Sequence, residues 1–357
     1  MTLHLGVALD GYGWHTRAWA LTAERRSVLS GRYWADLAVT AERGLLDFLT
    51  IDDTLMPQIG RSSRIHPDRL TGRGDAVLTA ARIAPATRHI GLIPVATVTH
   101  TEPFHISKSI ATLDYVSHGR AGWQPRVSGT THEAALFGRR TVNPEELFDE
   151  ARDYVDVVRR LWDSWEDGAV IRDVATGRYI DRDKLHYIDF VGKFFSVKGP
   201  SITPRPPQGQ PVVAVLAHST PVYEFAADTA DVVFITPTDT SIASLVQEVR
   251  GIGEHLKVFA DIVVSFHGQD DFRSDTLVWA GSPAELVDML LGWQRCGIDG
   301  SRLRPAVHAT DLPVIVDEVV PLLQRAAQFR SEYRDAETLR ERLGLPVAPN
   351  RYTAAAR

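Results

Sequence analysis

The sequence predicts a closed (β/α)8 TIM barrel with insertions. Short apolar runs alternate with longer amphipathic stretches, and this strand-then-helix order favours parallel strands joined by crossover helices. Eight such pairs can be counted along the 357 residues. An open doubly wound sheet of this size normally has a glycine-rich dinucleotide turn after its first strand, whereas Asp10–His15 reads DGYGWH and lacks that spacing. The eight pairs therefore favour closure of the sheet into a barrel.

The predicted wall strands are short runs rich in Val, Ile, Leu and Phe. They are Leu3–Leu9, Asp47–Ile51, His89–Val95, Arg120–Val127, Pro211–Leu216, Asp231–Ile235, Lys257–Ser265 and Gly300–Pro305. Between them, apolar residues recur every three to four positions, for example in Tyr33–Arg43 and Glu145–Trp165, which predicts helices packed outside the wall. We expect one barrel domain over residues 1–330 and a C-terminal tail over residues 331–357.

Two long excursions, residues 54–74 and 168–210, interrupt the strand-then-helix order. Both contain several Gly and Pro residues, and long loops in a compact domain are usually functional or disordered. The first excursion follows the second strand, so it emerges at the C-terminal face of the barrel, where barrel enzymes hold their active sites. We therefore expect residues 54–74 to form part of a lid over the pocket.

Composition excludes several classes of function. The net charge is -6, with basic residues scattered along the chain, which argues against nucleic acid or an anionic membrane as a partner. No run of eighteen apolar residues is present, and the N-terminal residues do not resemble a signal peptide, so we expect a cytoplasmic protein. The single cysteine, Cys296, can form neither an internal disulfide nor a Cys-rich metal site. We predict no metal centre.

Several predicted strands end in polar residues, at the face where a barrel enzyme binds its ligands. Asp52 and Asp53 end the second strand, where a carboxylate either faces the pocket or caps the next segment. The third strand runs into Thr97, Thr99 and His100. Hydroxyl groups there can hydrogen-bond the polar edge of a ring ligand, and an imidazole can transfer a proton near neutral pH. We predict His100 as a catalytic residue, the alternative being a structural histidine.

The fourth and fifth strands also end in candidate ligand-binding residues. Gln124 can offer its amide to the edge of a heterocycle. Ser219, followed by Pro221 and a helical pattern, predicts a helix start whose free backbone N–H groups can bind a phosphate, although an ordinary capped helix gives the same pattern.

The loop after the first strand carries a large aromatic ring and a titratable ring, Trp14 and His15, between glycines. At the catalytic face of a barrel these rings can contact the substrate, and His15 can also take part in proton transfer. Packing that closes the barrel mouth is the alternative, and no spacing argument separates the two.

Longer strings in the sequence resemble one family of enzymes. The strings are GRYWADLAVTAERGLLDFLTIDD, RHIGLIPVATVTHTEPFHISKSIATLDYVSHGRAGWQ, LWDSWEDGAV, FFSVKGPSITPRPPQGQPVV, AGSPAELVDMLLGW and VVPLLQRAAQFRSEYRDAETLRERLGL. In this order they are similar to the flavin-dependent monooxygenases of the luciferase-like superfamily. The branch that they most resemble contains nitrilotriacetate, dibenzothiophene-sulfone and dimethyl-sulfide monooxygenases. The resemblance covers nearly the whole chain.

The resemblance implies an enzyme that binds FMN at the C-terminal mouth of the barrel. It implies that FMN arrives reduced from a separate flavin reductase and activates dioxygen, which oxygenates a small organic substrate. By resemblance, Asp53, Thr97, Thr99 and Gln124 lie near the flavin, and Ser219 holds its phosphate. A homodimer or homotetramer is the expected assembly.

Some positions depart from the family pattern. Pro144 and Phe148 stand where the family commonly has a His and a Tyr that touch the flavin. His218 replaces part of a Gln-Ala-Gly run, and its protonated ring would supply phosphate contacts in place of the missing ones. The chain is also shorter than typical members between the seventh and eighth strands. Two alternatives stay open: hydride transfer with a deazaflavin coenzyme, and a flavin-binding relative without catalysis.

Overall fold

A closed barrel of parallel strands forms the centre of the protein. The computed structural model describes residues 2–57, 65–138, 140–238, 241–268 and 272–355. The barrel strands are β1 (His4–Leu9), β2 (Phe48–Ile51), β3 (Gly91–Thr97), β4 (Gly122–Arg126), β5 (Val212–Ala217), β6 (Val232–Ile235), β7 (Lys257–Ser265) and β8 (Gly300–Pro305). Each strand pairs in parallel with the next, and β8 pairs with β1. A short strand, Val278–Ala280, adds to β7. The predicted (β/α)8 barrel is confirmed, and each predicted strand lies within two residues of its observed bounds.

A helix follows each barrel strand and packs outside the wall. These helices are α1 (Gly31–Arg43), α2 (Ala76–Ile83), α3 (Pro103–Val116), α4 (Leu147–Asp163), α5 (Thr220–Thr229), α6 (Ile242–Ile252), α7 (Pro283–Arg295) and α8, which joins His308–Val314, a π-helical turn at Ile315–Val319 and Val320–Arg325. Shorter helices are Ala18–Leu21, Thr131–Phe137, Leu339–Arg342 and Arg351–Ala355, with 3-10 turns at Ala84–Ala86, Pro144–Glu146 and Arg182–Lys184. Within the described ranges, no helix has the length and apolar character that a membrane crossing requires.

Aromatic side chains fill the N-terminal half of the barrel interior. Phe48, Phe234 and Phe259 are fully buried, and their ring centroids lie 5.3–6.1 Å apart. Gly6 on β1 makes room for this layer, because a Cβ atom there would lie 2.2 Å from the ring of Phe48. Space for a ligand is therefore left to the C-terminal half of the barrel.

Residues 338–345 cover the N-terminal end of the barrel, and we call them the floor segment. Its helix begins with a capping box between Thr338 and Glu341, which fixes the direction of the chain. Leu339 and Leu343 are fully buried against the aromatic layer. Arg342 Nη1 donates to the carbonyl oxygens of Asp47 and His89 at the base of the wall. Part of the region predicted as a tail is thus a layer of the barrel core.

The two predicted excursions differ in their position. Of residues 54–74, those at 58–64 lie outside the described residues, and the described remainder contains no helix or strand. Its Arg73 reaches back to the mouth of the barrel, where it pairs with Asp52 at 2.9 Å. Residues 168–210 follow α4 in the chain and form two antiparallel hairpins on the outside of the barrel. The lid prediction for residues 54–74 stays a prediction.

We expect low pH to reduce the stability of the barrel by protonating Asp47. This buried carboxylate accepts hydrogen bonds from Leu5 N and His4 Nδ1, and it pairs with Arg330. Burial opposes its charge, but His4 and Arg330 hold the pKa of Asp47 at about 2, below its usual 3.8. Because this folded pKa is depressed, about 2 kcal/mol of stability is present above about pH 4 and is lost as the pH falls through 2.

Denaturant unfolding of wild type and Asp47→Asn over pH 2 to 5 measures this contribution. We expect the wild type to be the more stable at pH 5 and the difference to shrink toward pH 2. A difference that stays constant across this range would show that Asp47 acts only as a hydrogen-bond acceptor.

Candidate functional site

A cavity of about 420 Å³ lies at the C-terminal mouth of the barrel. This volume falls within the range of about 300–1,000 Å³ that is usual for small-molecule sites. Part of its wall is apolar and comes from β4, the residue after β4, α4 and α5: Pro125, Val127, Leu147, Phe148, Val222 and Phe225. Another part is polar or aromatic: Trp14, Asp52, Gln124, Arg126, His218, Asp275 and Arg304. We call this space the mouth cavity; it suits a flat ligand with one polar edge.

A buried ionic network lies at the bottom of the mouth cavity. Arg302 and Arg304 lie two residues apart on β8, so both side chains point into the barrel. Asp261 on β7 accepts from Arg302 Nε at 2.9 Å and Nη2 at 2.6 Å, and also from Arg304 Nη2. Arg302 Nη1 crosses the barrel and donates to Gln124 Oε1 at 2.9 Å. The guanidinium of Arg302 also lies 3.9 Å from the ring centroid of Phe234. The network thereby fixes the amide of Gln124.

Arg304 also contacts two residues in the wall of the mouth cavity. Its Nη1 donates to Asp275 at 2.5 Å, and its guanidinium lies 4.3 Å from the ring centroid of Trp14. Burial disfavours its charge, yet Asp261 and Asp275 raise the pKa of Arg304 above its usual value. Burial likewise opposes the charge of Asp275, but Arg304 lowers the pKa of that carboxyl to about 2. Both groups therefore stay ionised across the physiological range.

A second charge cluster lines one edge of the mouth cavity. Asp52 pairs with Arg73 at 2.9 Å and with Arg126 at 3.1 Å, and Arg73 also reaches Asp10 at 3.3 Å. Burial would raise the pKa of Asp52, but Arg126 and Arg73 lower it. Burial dominates at Asp10 and raises its pKa to about 6, with Arg73 opposing. Asp10 is thus a carboxyl group that changes charge close to neutral pH.

The two acidic residues at the end of β2 take different positions. Asp53 Oδ1 accepts from Thr54 N at 2.7 Å, and its Oδ2 accepts from Ala76 N at 3.0 Å. Its carboxylate thus accepts from a residue shortly after β2 and from the first residue of α2, the role that the capping alternative describes. Burial raises the pKa of Asp53, although these two N–H groups oppose the rise. Asp52 is the member of the pair that lines the cavity.

The polar residues at the end of β3 are not among those that line the mouth cavity. Thr97 and Thr99 are buried, and Thr99 Oγ1 accepts from Ser128 N at 3.0 Å. His100 has a φ of 69° and stacks on Phe137 with the ring centroids 5.1 Å apart. It lines a separate cavity of about 230 Å³, shared with Arg140 and other residues. The structure therefore does not bring His100 together with Gln124 or Trp14.

The two rings of the first loop, those of Trp14 and His15, also lie in different surroundings. Trp14 lines the mouth cavity, and its Nε1 donates to Ala8 O at 2.8 Å. His15 is buried, and its ring lies 4.6 Å from that of Phe272. Its Nδ1 accepts from Arg17 N at 3.0 Å. Of the two predicted substrate contacts, Trp14 is the one that reaches the mouth cavity.

The start of α5 lies beside the mouth cavity. Ser219 is the residue before the first turn of α5 and makes no side-chain hydrogen bond to it. Ser219 and His218 are exposed, and His218 is the one that lines the cavity. Of the two departures from the family pattern, Phe148 lines the mouth cavity, whereas Pro144 borders a neighbouring one.

Sequence reasoning missed the charged residues that dominate the site. Arg126, Asp261, Asp275, Arg302 and Arg304 were not among the candidates, although all but Asp275 lie on strands that were predicted correctly. The alternation of Arg302 and Arg304 with Leu303 was the available signal, because two inward-facing arginines on a barrel strand require buried acids on neighbouring strands.

Comparison with known proteins agrees with this architecture. Residues 13–267 match the luciferase-like monooxygenase family. N-acetyl-S-(2-succino)cysteine monooxygenase of Bacillus subtilis (strain 168) is 29% identical, with 98% of both chains covered. Nitrilotriacetate monooxygenase component A of Aminobacter aminovorans is 35% identical over 73% of this chain, which spans 62% of that protein. The crystal structure of a long-chain alkane monooxygenase shares the fold, with a TM-score of 0.86, 23% identity and full coverage of both chains.

The family match covers well over half of the chain, and its named relatives are monooxygenases, as the sequence strings predict. The protein therefore belongs to the luciferase-like monooxygenase family.

Proposed function

We propose that the protein is a monooxygenase that uses reduced FMN and dioxygen to oxygenate a small organic substrate, with reduced flavin supplied by a separate flavin reductase. The mouth cavity carries this proposal, because its polar and apolar walls suit the two unlike edges of an isoalloxazine ring. The name of one relative, component A of nitrilotriacetate monooxygenase, supports a partner protein. A homodimer or homotetramer is part of the proposal, and light scattering of the purified protein tests it.

The residues of the mouth cavity fit a flavin. Gln124 offers an amide to the polar edge of the ring, while Leu147, Phe148 and Phe225 form an apolar wall for the other edge. The N–H groups at the start of α5, with His218 beside them, suit the phosphate. When bound, reduced flavin supplies the electrons that activate dioxygen. The protein residues bind and orient the ring, and the apolar wall limits access of water.

The other predicted site residues take supporting positions in this proposal. Asp53 and Thr99 accept hydrogen bonds from backbone N–H groups that follow β2 and β4, respectively, and Thr97 is buried at the end of β3. Catalytic roles for His15 and His100 stay predictions, and they would require movement toward the mouth cavity. Replacing His100 with Asn tests this: a catalytic role predicts a lower rate with unchanged flavin affinity.

Flavin titration, followed by turnover, is the direct experiment. We expect the purified protein to bind reduced FMN under anaerobic conditions and, once oxygen is admitted, to oxygenate a member of a substrate panel that includes nitrilotriacetate and N-acetyl-S-(2-succino)cysteine. Absence of binding to oxidised and reduced FMN alike would overturn the proposal. Anaerobic turnover with a deazaflavin coenzyme would favour hydride transfer, and binding of reduced FMN without turnover would favour the non-catalytic relative.

We expect His218→Ala to weaken FMN binding by at least about tenfold, because a charge-assisted hydrogen bond to a phosphate contributes about 1.5–3 kcal/mol. Riboflavin lacks the phosphate, so its affinity should not change. Fluorescence titration with both flavins measures the effect, and His255→Ala, which alters an exposed histidine ahead of β7, is the matched control. Equal losses for FMN and riboflavin would place the phosphate elsewhere.

A further inference from the structure

We propose that Arg126 anchors a carboxylate group in the mouth cavity, so that the substrate is an organic anion with an apolar body. The identity of this ligand as the substrate rests on the proposed function, whereas the anion site itself rests on geometry alone. Arg126 lies at the end of β4, two residues after Gln124, and both side chains line the mouth cavity.

The guanidinium of Arg126 keeps unused donors. Its Nη1 donates to Asp52 Oδ1 at 3.1 Å and to the carbonyl oxygen of Asp53 at 2.7 Å. An arginine has five N–H donors, and within the described part of the chain Nε and Nη2 of Arg126 make no hydrogen bond. The side chain is 42% exposed, so these donors are open to a ligand. The Nη1 group is therefore held by the protein, and the edge formed by Nε and Nη2 can donate two hydrogen bonds to a ligand.

Neighbouring arginines are occupied by protein acids. Arg304 also lines the mouth cavity, but its side chain is 1% exposed and both of its Nη atoms donate to Asp261 or Asp275. Arg302 is 3% exposed, and its donors serve Asp261, Gln124 and Thr50. Among the described residues that line the cavity, Arg126 is thus the guanidinium able to accept an additional anion.

Within the described residues, one acidic side chain, Asp52, pairs with Arg126. Asp52 is shared with Arg73 at 2.9 Å, and Arg73 in turn reaches Asp10 at 3.3 Å, so Asp52 is not a dedicated partner of Arg126. A carboxylate matches a guanidinium edge with two parallel N–H···O bonds, a geometry that a point charge such as Lys does not reproduce.

The surroundings of Arg126 define the rest of the ligand. Pro125 and Val127 flank it along the chain, and Leu147 and Phe148 of α4 line the same cavity. A ligand held at Arg126 by its carboxylate would therefore lay an apolar body against these side chains. Neutral apolar compounds would gain the same apolar contacts but would lack the anchor.

The test compares an anion with its neutral isostere. Calorimetry on the full chain without flavin should show that phenylacetate binds at least about tenfold more tightly than phenylacetamide, because a hydrogen bond to a charged group is the stronger kind. Arg126→Gln should abolish this preference, and Arg126→Lys should retain a part of it. Arg178→Gln, at an exposed arginine on the outer hairpin, should leave the preference unchanged. Thermal unfolding of each variant confirms that it is folded.

Several outcomes would overturn the proposal. One is equal binding of phenylacetate and phenylacetamide by the wild type, and another is a preference that survives in folded Arg126→Gln. A third is a loss of FMN affinity in Arg126→Gln without loss of riboflavin affinity, since the anion at Arg126 would then be the flavin phosphate. If the wild type binds no flavin but keeps the carboxylate preference, the anion site stands and only the proposed function fails.

Discussion

Asp261→Ala is expected to lower the free energy of unfolding by about 3–5 kcal/mol, because removing one partner of a buried ion pair leaves the other charge uncompensated. Asp261 is fully buried and accepts hydrogen bonds from both Arg302 and Arg304. Its loss would leave Arg302 without an acidic partner in the barrel interior, and Arg304 would keep only Asp275. Chemical denaturation of wild type and variant measures the effect.

The matched control is Asp228→Ala, which removes the partner of Arg152 on the outer surface, where the aspartate side chain is 59% exposed. Exposed pairs contribute at most about 1 kcal/mol, so this variant should be nearly as stable as the wild type. Equal losses for the two variants would contradict a special role for the buried network. Asp261→Ala should also weaken flavin binding, because Arg302 holds Gln124 and Arg304 lies against Trp14, and both arginines lose a partner.

Leu339→Ala is expected to cost about 2–5 kcal/mol of stability, the range found when a buried leucine is truncated and a cavity remains. Leu339 is fully buried in the floor segment, and it fills the space beside Gly91, where a Cβ atom would lie 2.6 Å from a Leu339 methyl carbon. The surrounding barrel strands cannot collapse into the vacated volume, because the parallel ladder fixes their separation.

Val347→Ala is the control for this change, since Val347 is 87% exposed and lies two residues after the floor segment. Its stability should lie within about 0.5 kcal/mol of the wild type. If Leu339→Ala unfolds at the same denaturant concentration as the wild type, the floor segment is not part of the barrel core.

The wall of the barrel could be predicted from the sequence because each strand has a local signature. Runs such as Val212–Ala217 are apolar throughout, as expected for strands buried on both faces. Gln124 and Trp14 could also be placed at the mouth, since a strand end and the first loop must face it. These predictions depend on residues that are close together in the chain.

The electrostatics of the site could not be predicted in the same way. Arg302 contacts Asp261 and Gln124, which are 41 and 178 positions away in the sequence. The alternation of Arg302 and Arg304 with Leu303 indicates that the two arginines share a face, but no local pattern identifies the distant residues that pair with them. His100 shows the converse: its position after β3 was predicted correctly, but its left-handed backbone turns the ring toward Phe137.

The floor segment has a consequence for biosynthesis. It follows all eight strands in the chain, so a ribosome releases the complete wall before it releases Leu339 and Leu343. Until that turn emerges, the rings of Phe48, Phe234 and Phe259 lack their apolar cover and remain open to water at one end. A nascent chain paused at this point exposes a hydrophobic aromatic surface. Chaperones bind surfaces of this kind, and such surfaces promote aggregation.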